Sequence, residues 1–261
     1  MKKRNLFFNI AFSTLGGLLL LFIILPLFSI LLGTTPQTLW LALIDAEVLR
    51  SIGLTFGAAA IATLLAIVTG VPLAFLLARR KFHGKQLVEA LVNLPIVIPH
   101  TAAGVALLLV FGRRGLLGQW LTPLGVTFTD NVPGIVVAML FVSLPFLVNL
   151  SRESFALVDE ELELAALIDG ASPWQAFWYV SLPQAWRGVL AGALMMWARG
   201  ISEFGAVVIL AYHPKIVPVL VFERFEGLGL IAAQPVAALL VLVALATFIF
   251  LRLSLLKESI E

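Results

Sequence analysis

Apolar residues along this chain are gathered into long runs, and the short segments between them hold most of the charge. A bilayer core about 30 Å thick needs roughly 20 apolar helical residues to cross it. Six runs meet or approach that length: 6–32, 51–78, 87–111, 134–150, 188–212 and 230–256, the fourth being the shortest. Lys2, Lys3 and Arg4 ahead of the first run resemble the start of a signal peptide. That run is too long for a signal core and has no clear small-x-small cleavage site, so it is expected to remain as a helix.

Composition supports the same reading. Of 261 residues 61% are hydrophobic and only 12% charged, about half the charged share of an ordinary soluble domain. The predicted fold class is therefore an all-α polytopic membrane protein with six transmembrane helices, residues 1–261 forming a single transmembrane domain. No sizeable soluble catalytic domain fits between the runs, so any soluble chemistry belongs to partners. With no cysteine, disulfides, thiolate nucleophiles and cysteine-held zinc or iron–sulfur clusters are excluded. His83 and His213 have no ligand-like spacing to His100, so neither a metal site nor a cofactor is expected. The net charge of +2 is spread over the ends of the runs rather than gathered in one stripe, which gives nucleic-acid binding little support.

The placement of basic residues orients the chain. The N-terminus, the 79–85 loop, the 152–187 loop and the C-terminus together hold eleven Lys and Arg against five in the other loops, with Arg199 inside a run. The positive-inside rule puts both termini in the cytoplasm of a cell membrane, although Arg113 and Arg114 oppose it locally.

One cytoplasmic loop, 151–187, is too long to be a simple connection. Residues 159–169 read as an acidic helix with Leu162, Ala165, Ala166 and Ile168 available for packing, closed by Gly170 at its C-terminal turn. Ser172 is a good N-cap and Pro173 suits the first helical position, so a short helix is expected from Pro173 to about Ser181, ended by Leu182-Pro183. Trp174, Phe177 and Trp178 then fall at i, i+3 and i+4 and form one aromatic face. Such a face suits a groove in another protein, and it equally suits the lipid headgroup level or the underside of the helix bundle.

Two runs carry polar chemistry. Pro95 and Pro99 each remove a backbone donor from the third, so a bend or break is expected, either as a wall of a translocation path or as a structural kink. His100 and Thr101 offer hydrogen bonds to a passing oxyanion or to a neighbouring helix. In the fifth run Arg199 and Glu203 are four apart and fall on one helical face near the bilayer midplane. Neither charge is stable there alone, so mutual pairing is expected, within the chain or across a dimer axis. Glu203 would repel an anion, which favours a structural or gating pair over a binding site. Gly200 and Gly205 permit close helix approach.

These residues carry a resemblance. Ala165-Ala166, Gly170 and, nine residues on, Val180-Ser181-Leu182-Pro183 resemble the EAA loop of permease subunits in ATP-binding cassette importers, with Leu164 at the place of the family's leading glutamate and Glu163 one position earlier. Asn93 to Gly104, Phe111 to Gly115 and Trp197 to Ala206 resemble the third and fifth spans of molybdate and tungstate permeases; sulfate permeases share much of the last pattern. The resemblance implies the MetI-like fold of type I importers, a homodimer, two ATPase subunits docked at the coupling residues Ala165, Ala166, Gly170, Ala171, Ser172, Pro173, Trp174, Phe177, Trp178, Leu182 and Pro183, and an extracytoplasmic oxyanion-binding protein. Pro95, Pro99, His100, Thr101, Arg199, Glu203 and Gly205 become pathway or gate candidates. The chain has no G-x-x-x-x-G-K-[ST] phosphate loop, so it is a transport subunit rather than an enzyme and nucleotide must bind a partner. A gradient-driven secondary transporter, with Arg199 and Glu203 as a proton relay, is the rival from another class. An intramembrane enzyme has little support, because no span holds paired acids or a His-Glu-x-x-His motif.

Overall fold

The computed structural model describes residues 2–257, with side chains over 8–247 and at Ile249. All regular structure among the described residues is helical. The chain divides into two compact units, one made of residues up to Ile52 with those from Leu220 on, the other of Gly53–Val219.

In the first unit α1 (Lys2–Leu32) is apolar on all sides, and its side chains from Phe8 to Phe28 are nearly all exposed, which suits a hydrocarbon solvent and no other. A turn at Gly33–Thr34 leads to α2 (Pro36–Ile44), where Thr35 caps by accepting the Thr38 N–H at 3.2 Å. The run pattern does not predict this helix. Asp45 separates α2 from α3 (Ala46–Arg79) and accepts the Glu47 N–H at 2.9 Å. Arg224, near the end of α12 (Val217–Leu228), donates to Asp45 at 2.6 Å and to Glu47 at 3.4 Å. That hydrogen bond, opposed by burial, holds the Asp45 carboxyl below the usual carboxylate range. α12 is a second helix that the run pattern does not predict. α13 (Leu230–Lys257) covers the sixth run, and its Gln234 donates to the Ile30 carbonyl at 3.2 Å.

The second unit centres on α7 (Val132–Leu157) packed along α10 (Leu182–Ile201). Asn131 caps α7 by accepting the Gly134 N–H at 3.1 Å. Gly192 lets the two helices meet, because a Cβ there would lie 3.1 Å from the Leu147 carbonyl oxygen. Leu77, Leu147, Val148, Phe155, Phe177 and Met196 fill the core that α3, α7 and α10 share. α7 runs seven residues past the predicted end of the fourth span, because Ser151 and Phe155 are buried in that core.

Among the described residues four helices are long and apolar enough to cross a membrane: α1, α3, α7 and α13. The third and fifth predicted spans are interrupted. The third is α4 (Lys85–Val97) and α5 (His100–Phe111), bent by 116° between them. Pro95 stays inside α4, whereas Pro99 makes the break: it drives Ile98 to an extended conformation, φ −72° and ψ 144°. After α5 come α6 (Gly118–Leu121) and a 3₁₀ turn at Thr122–Leu124. The fifth span starts earlier than expected, at Leu182, stops at Ile201, and resumes as α11 (Gly205–Leu210). Arg199 and Glu203 are therefore not on one continuous helix.

Between α7 and α10 lie α8 (Glu160–Ile168) and α9 (Pro173–Ala176). Leu182-Pro183 does not end the second of these. Phe177–Ser181 forms a π turn, with the Leu182 N–H bonded to the Phe177 carbonyl, and the helix continues into α10. The wider turn relieves the clash between the proline ring and the carbonyl four residues earlier.

Candidate functional site

Two places in the second unit bring the predicted residues together. The first is the α8–α9 segment. Asp159 caps α8 by accepting the Glu161 N–H at 3.0 Å. At the other end Gly170, at φ +93°, lets the Ala171 N–H reach the Ala166 carbonyl at 2.9 Å and its own N–H reach Leu167 at 3.1 Å. This is a Schellman turn, which explains why glycine is needed at 170. Ser172 and Gln175 then form a capping box, the Gln175 N–H donating to Ser172 Oγ at 3.2 Å and the Ser172 N–H to Gln175 Oε1 at 2.8 Å, with Pro173 in the first turn. Every hydrogen bond in this construction is local, so the turn and the start of the rod are set by their own sequence.

Its aromatic face divides. Phe177 is 8% exposed and packs edge-on against Phe75 at a ring separation of 4.9 Å, whereas Trp174 is 68% exposed and Trp178 46%. Both tryptophans contact the Phe177 ring, Trp178 edge-on at 5.5 Å. Phe177 is thus a root in the core and the two indoles are what the rod presents. Leu182 packs on the same core, and Pro183 is exposed. The apolar residues of α8 do not pack inward as expected: Leu162, Ala165 and Ile168 are exposed and Ala166 is half-buried. Together α8, α9 and the π turn frame a depression of about 380 Å³ lined by Ala166, Gly170, Ala171, Ala176, Tyr179 and Val180 among others.

A contact that no sequence pattern announces fixes α8 in place. Arg79, at the end of α3, donates to Glu163 from Nε at 2.9 Å and from Nη2 at 2.6 Å, and to the Val158 carbonyl at 2.9 Å. The Arg79 side chain is almost wholly buried. The acid at 163 therefore faces inward and holds the segment to the helix bundle. Similar links tie α4 to α7: Arg152 to Glu89 at 2.9 Å and Asn149 to Asn93 at 2.6 Å.

The second place is where the two interrupted spans meet. His100 opens α5, Arg199 lies in the last turn of α10, and Glu203 sits in the gap before α11. Glu203 is completely buried, with Oε1 accepting the Ala206 N–H at 2.8 Å and Oε2 lying 2.7 Å from His100 Nδ1 and 3.0 Å from Arg199 Nη2. Arg199 Nη2 is also 2.7 Å from His100 Nδ1 and 2.9 Å from its Nε2. Glu203 Oε2 is the acceptor that the imidazole and the guanidinium share. The expected Arg199–Glu203 pairing is thus present, and His100 is its third member. Thr101, beside it, is exposed.

Glycines hold the two gaps together. A Cβ on Gly205 would lie 2.7 Å from His100 Cβ and 3.1 Å from the Thr101 nitrogen, and one on Gly104 would lie 2.8 Å from Ile209 Cβ. Gly200 packs on Ala59 with less constraint, 3.3 Å to its Cβ. Pro95 is buried in α4 and takes no part in the network, whereas Pro99 supplies the break that brings His100 to the head of α5.

Comparison with known proteins gives these features a context. Residues 70–257 match the family described as binding-protein-dependent transport system inner membrane component. The molybdate/tungstate transport system permease protein WtpB of Pyrococcus furiosus is 45% identical over 97% of this chain and 96% of its own length. The protein of the same name from Thermococcus kodakarensis is 42% identical over 92% and 93%. Among solved structures, a bacterial alginate ABC transporter in complex with an alginate-bound periplasmic protein contains a chain with a TM-score of 0.76 at 16% identity, covering 95% of this chain and 93% of that one, a likeness of fold alone. With the helical architecture above, these matches make the chain a multi-pass membrane protein that belongs to the family of inner membrane components of binding-protein-dependent transport systems.

Proposed function

We propose that this chain is the permease subunit of an ATP-driven importer that carries molybdate and tungstate across the cell membrane. The substrate reading is supported by relatives at 42–45% identity that are named for molybdate/tungstate transport. The energy source is assigned to a separate ATPase, two copies of which bind a homodimer of this chain from the cytoplasm, where both termini lie. The single observation that carries this assignment is the rod from Ser172 to Ser181: doubly capped at one end, rooted by Phe177, and presenting Trp174 and Trp178 outward. A rigid element that continues into α10 can pass a push on the indoles into a membrane helix, as rigid-body coupling requires. An extracytoplasmic binding protein delivers the anion.

The His100–Arg199–Glu203 network serves in this reading as a neutralised gate between two broken helices. Irregular backbone at membrane depth is tolerated where protein buries it or where it lines a water-filled cavity. The test is uptake by proteoliposomes holding this chain with a partner ATPase and an oxyanion-binding protein. Tungstate and molybdate should accumulate only with ATP and with both partners. Uptake that needs neither partner and collapses with an uncoupler would establish the gradient-driven reading instead, and a binding protein that prefers sulfate in calorimetry would replace the substrate.

A further inference from the structure

The polar network at the two helix gaps is sided. Its only carboxylate, Glu203, has a side chain 0% exposed, whereas the side chains of Arg199 and His100 are 23% and 37% exposed. On the open side Arg199 Nη1 donates to Ser202 Oγ at 3.1 Å, the exposed Ser202 hydroxyl donates in turn to the Arg199 carbonyl at 3.0 Å, and Arg199 Nε has no hydrogen-bond partner among the described residues. An approaching solute therefore meets the guanidinium N–H donors first, with the negative charge behind them.

We propose that this donor face is a transient binding site for a tetrahedral dianionic oxyanion, with Arg199 as the contacting group and Ser202 beside it. The inference rests on the permease reading above and assigns the site where that reading meets its substrate. Molybdate and tungstate are acceptor-only at neutral pH, so a guanidinium is their natural partner. An unopposed guanidinium in a low-dielectric site would hold a dianion too firmly for transport, which needs binding strong enough for entry and weak enough for exit. Glu203, 3.0 Å behind Arg199, reduces the field of a full charge to that of a dipole. His100 and the Ala206 N–H keep the carboxylate turned inward while the anion passes. Glu203 does not exclude the anion; it sets how briefly the anion stays.

The chain has no cysteine, so Ser202→Cys creates a unique thiol at the site. In nanodiscs holding the full chain, labelling of that thiol by a water-soluble maleimide should slow at least threefold in millimolar tungstate relative to chloride at equal ionic strength. On the same background Arg199→Gln with Glu203→Gln removes both charges together and leaves no buried carboxylate unpaired, so the fold survives and protection should vanish. Labelling that tungstate does not change, protection that survives the double substitution, or a thiol that no water-soluble reagent reaches each overturns the proposal. In the otherwise native chain the same double substitution should lower ATP-driven tungstate uptake more than tenfold. Normal uptake there would refute the donor role while leaving the permease reading intact. Protection by tungstate in a chain that transports none would do the reverse.

Discussion

The rod at 172–181 and the network at 100, 199 and 203 are built in opposite ways. The rod is assembled mostly from neighbours in sequence, a Schellman turn and a capping box, with one phenylalanine rooting it against Phe75 and Phe155. The network is assembled from residues about a hundred positions apart and stands only while α5, α10 and α11 keep their gaps aligned. A locally built element can bear load and be altered at its tip without harm to the fold. A site built at long range on a buried charge fails as a unit. The proposed division of labour follows this difference, with the rod carrying force from outside the membrane and the network meeting the anion within it.

The largest effect expected from this contrast is at the network. Arg199→Ala takes from the buried Glu203 carboxylate its cationic partner, a loss of about 3–5 kcal/mol. Thermal unfolding in detergent should show it directly, and Arg199→Gln with Glu203→Gln should recover most of it. At the rod, Phe177→Ala should destabilise by about 3 kcal/mol, since it empties a ring-sized volume beside Phe75 and Phe155. Trp174→Ala with Trp178→Ala should leave the melting temperature nearly unchanged and lower ATPase co-purification at least tenfold. Equal destabilisation by both changes would erase the distinction between root and tip.

Gly205→Ala is expected to be smaller, about 1–3 kcal/mol of overpacking, because the new methyl meets the head of α5 rather than a flexible side-chain end. It should disturb transport more than stability if the gap geometry matters. The smallest effect lies outside both regions. Arg224 lowers the folded-state pKa of Asp45, so this pair stabilises at neutral pH and the contribution fades as pH falls below the ordinary aspartate range and through the lowered value. The pair is partly exposed, so the change is about a few tenths of a kcal/mol. Melting profiles from pH 6 to pH 3 should be slightly less acid-sensitive in Arg224→Gln.

The same contrast explains how much of the molecule is legible in its sequence. Ser172, Pro173 and Gly170 act within a few residues of themselves, and the capped rod is legible from them. The long apolar helices are legible for a similar reason, since length and hydropathy are properties of a single segment. The break after Ile201 is not, because residues 202–204 contain neither proline nor glycine; the helix ends where the Glu203 carboxylate turns to satisfy the Ala206 N–H and His100. Prolines are an uneven guide. Pro95 and Pro183 sit within continuous helix, the latter after a π turn, whereas Pro99 breaks its span. Phe177 reads as part of a docking face because its spacing matches Trp174 and Trp178, and only the position of Phe75, far away in the chain, shows that it points inward.

Proximity at the rod tests the central claim most directly. A photo-crosslinker attached to a single cysteine at Trp174→Cys, activated in membranes that contain the intact assembly, should join this chain to a nucleotide-hydrolysing subunit. Adducts only to lipid or to a second copy of this chain would contradict the assignment of the rod as the coupling element.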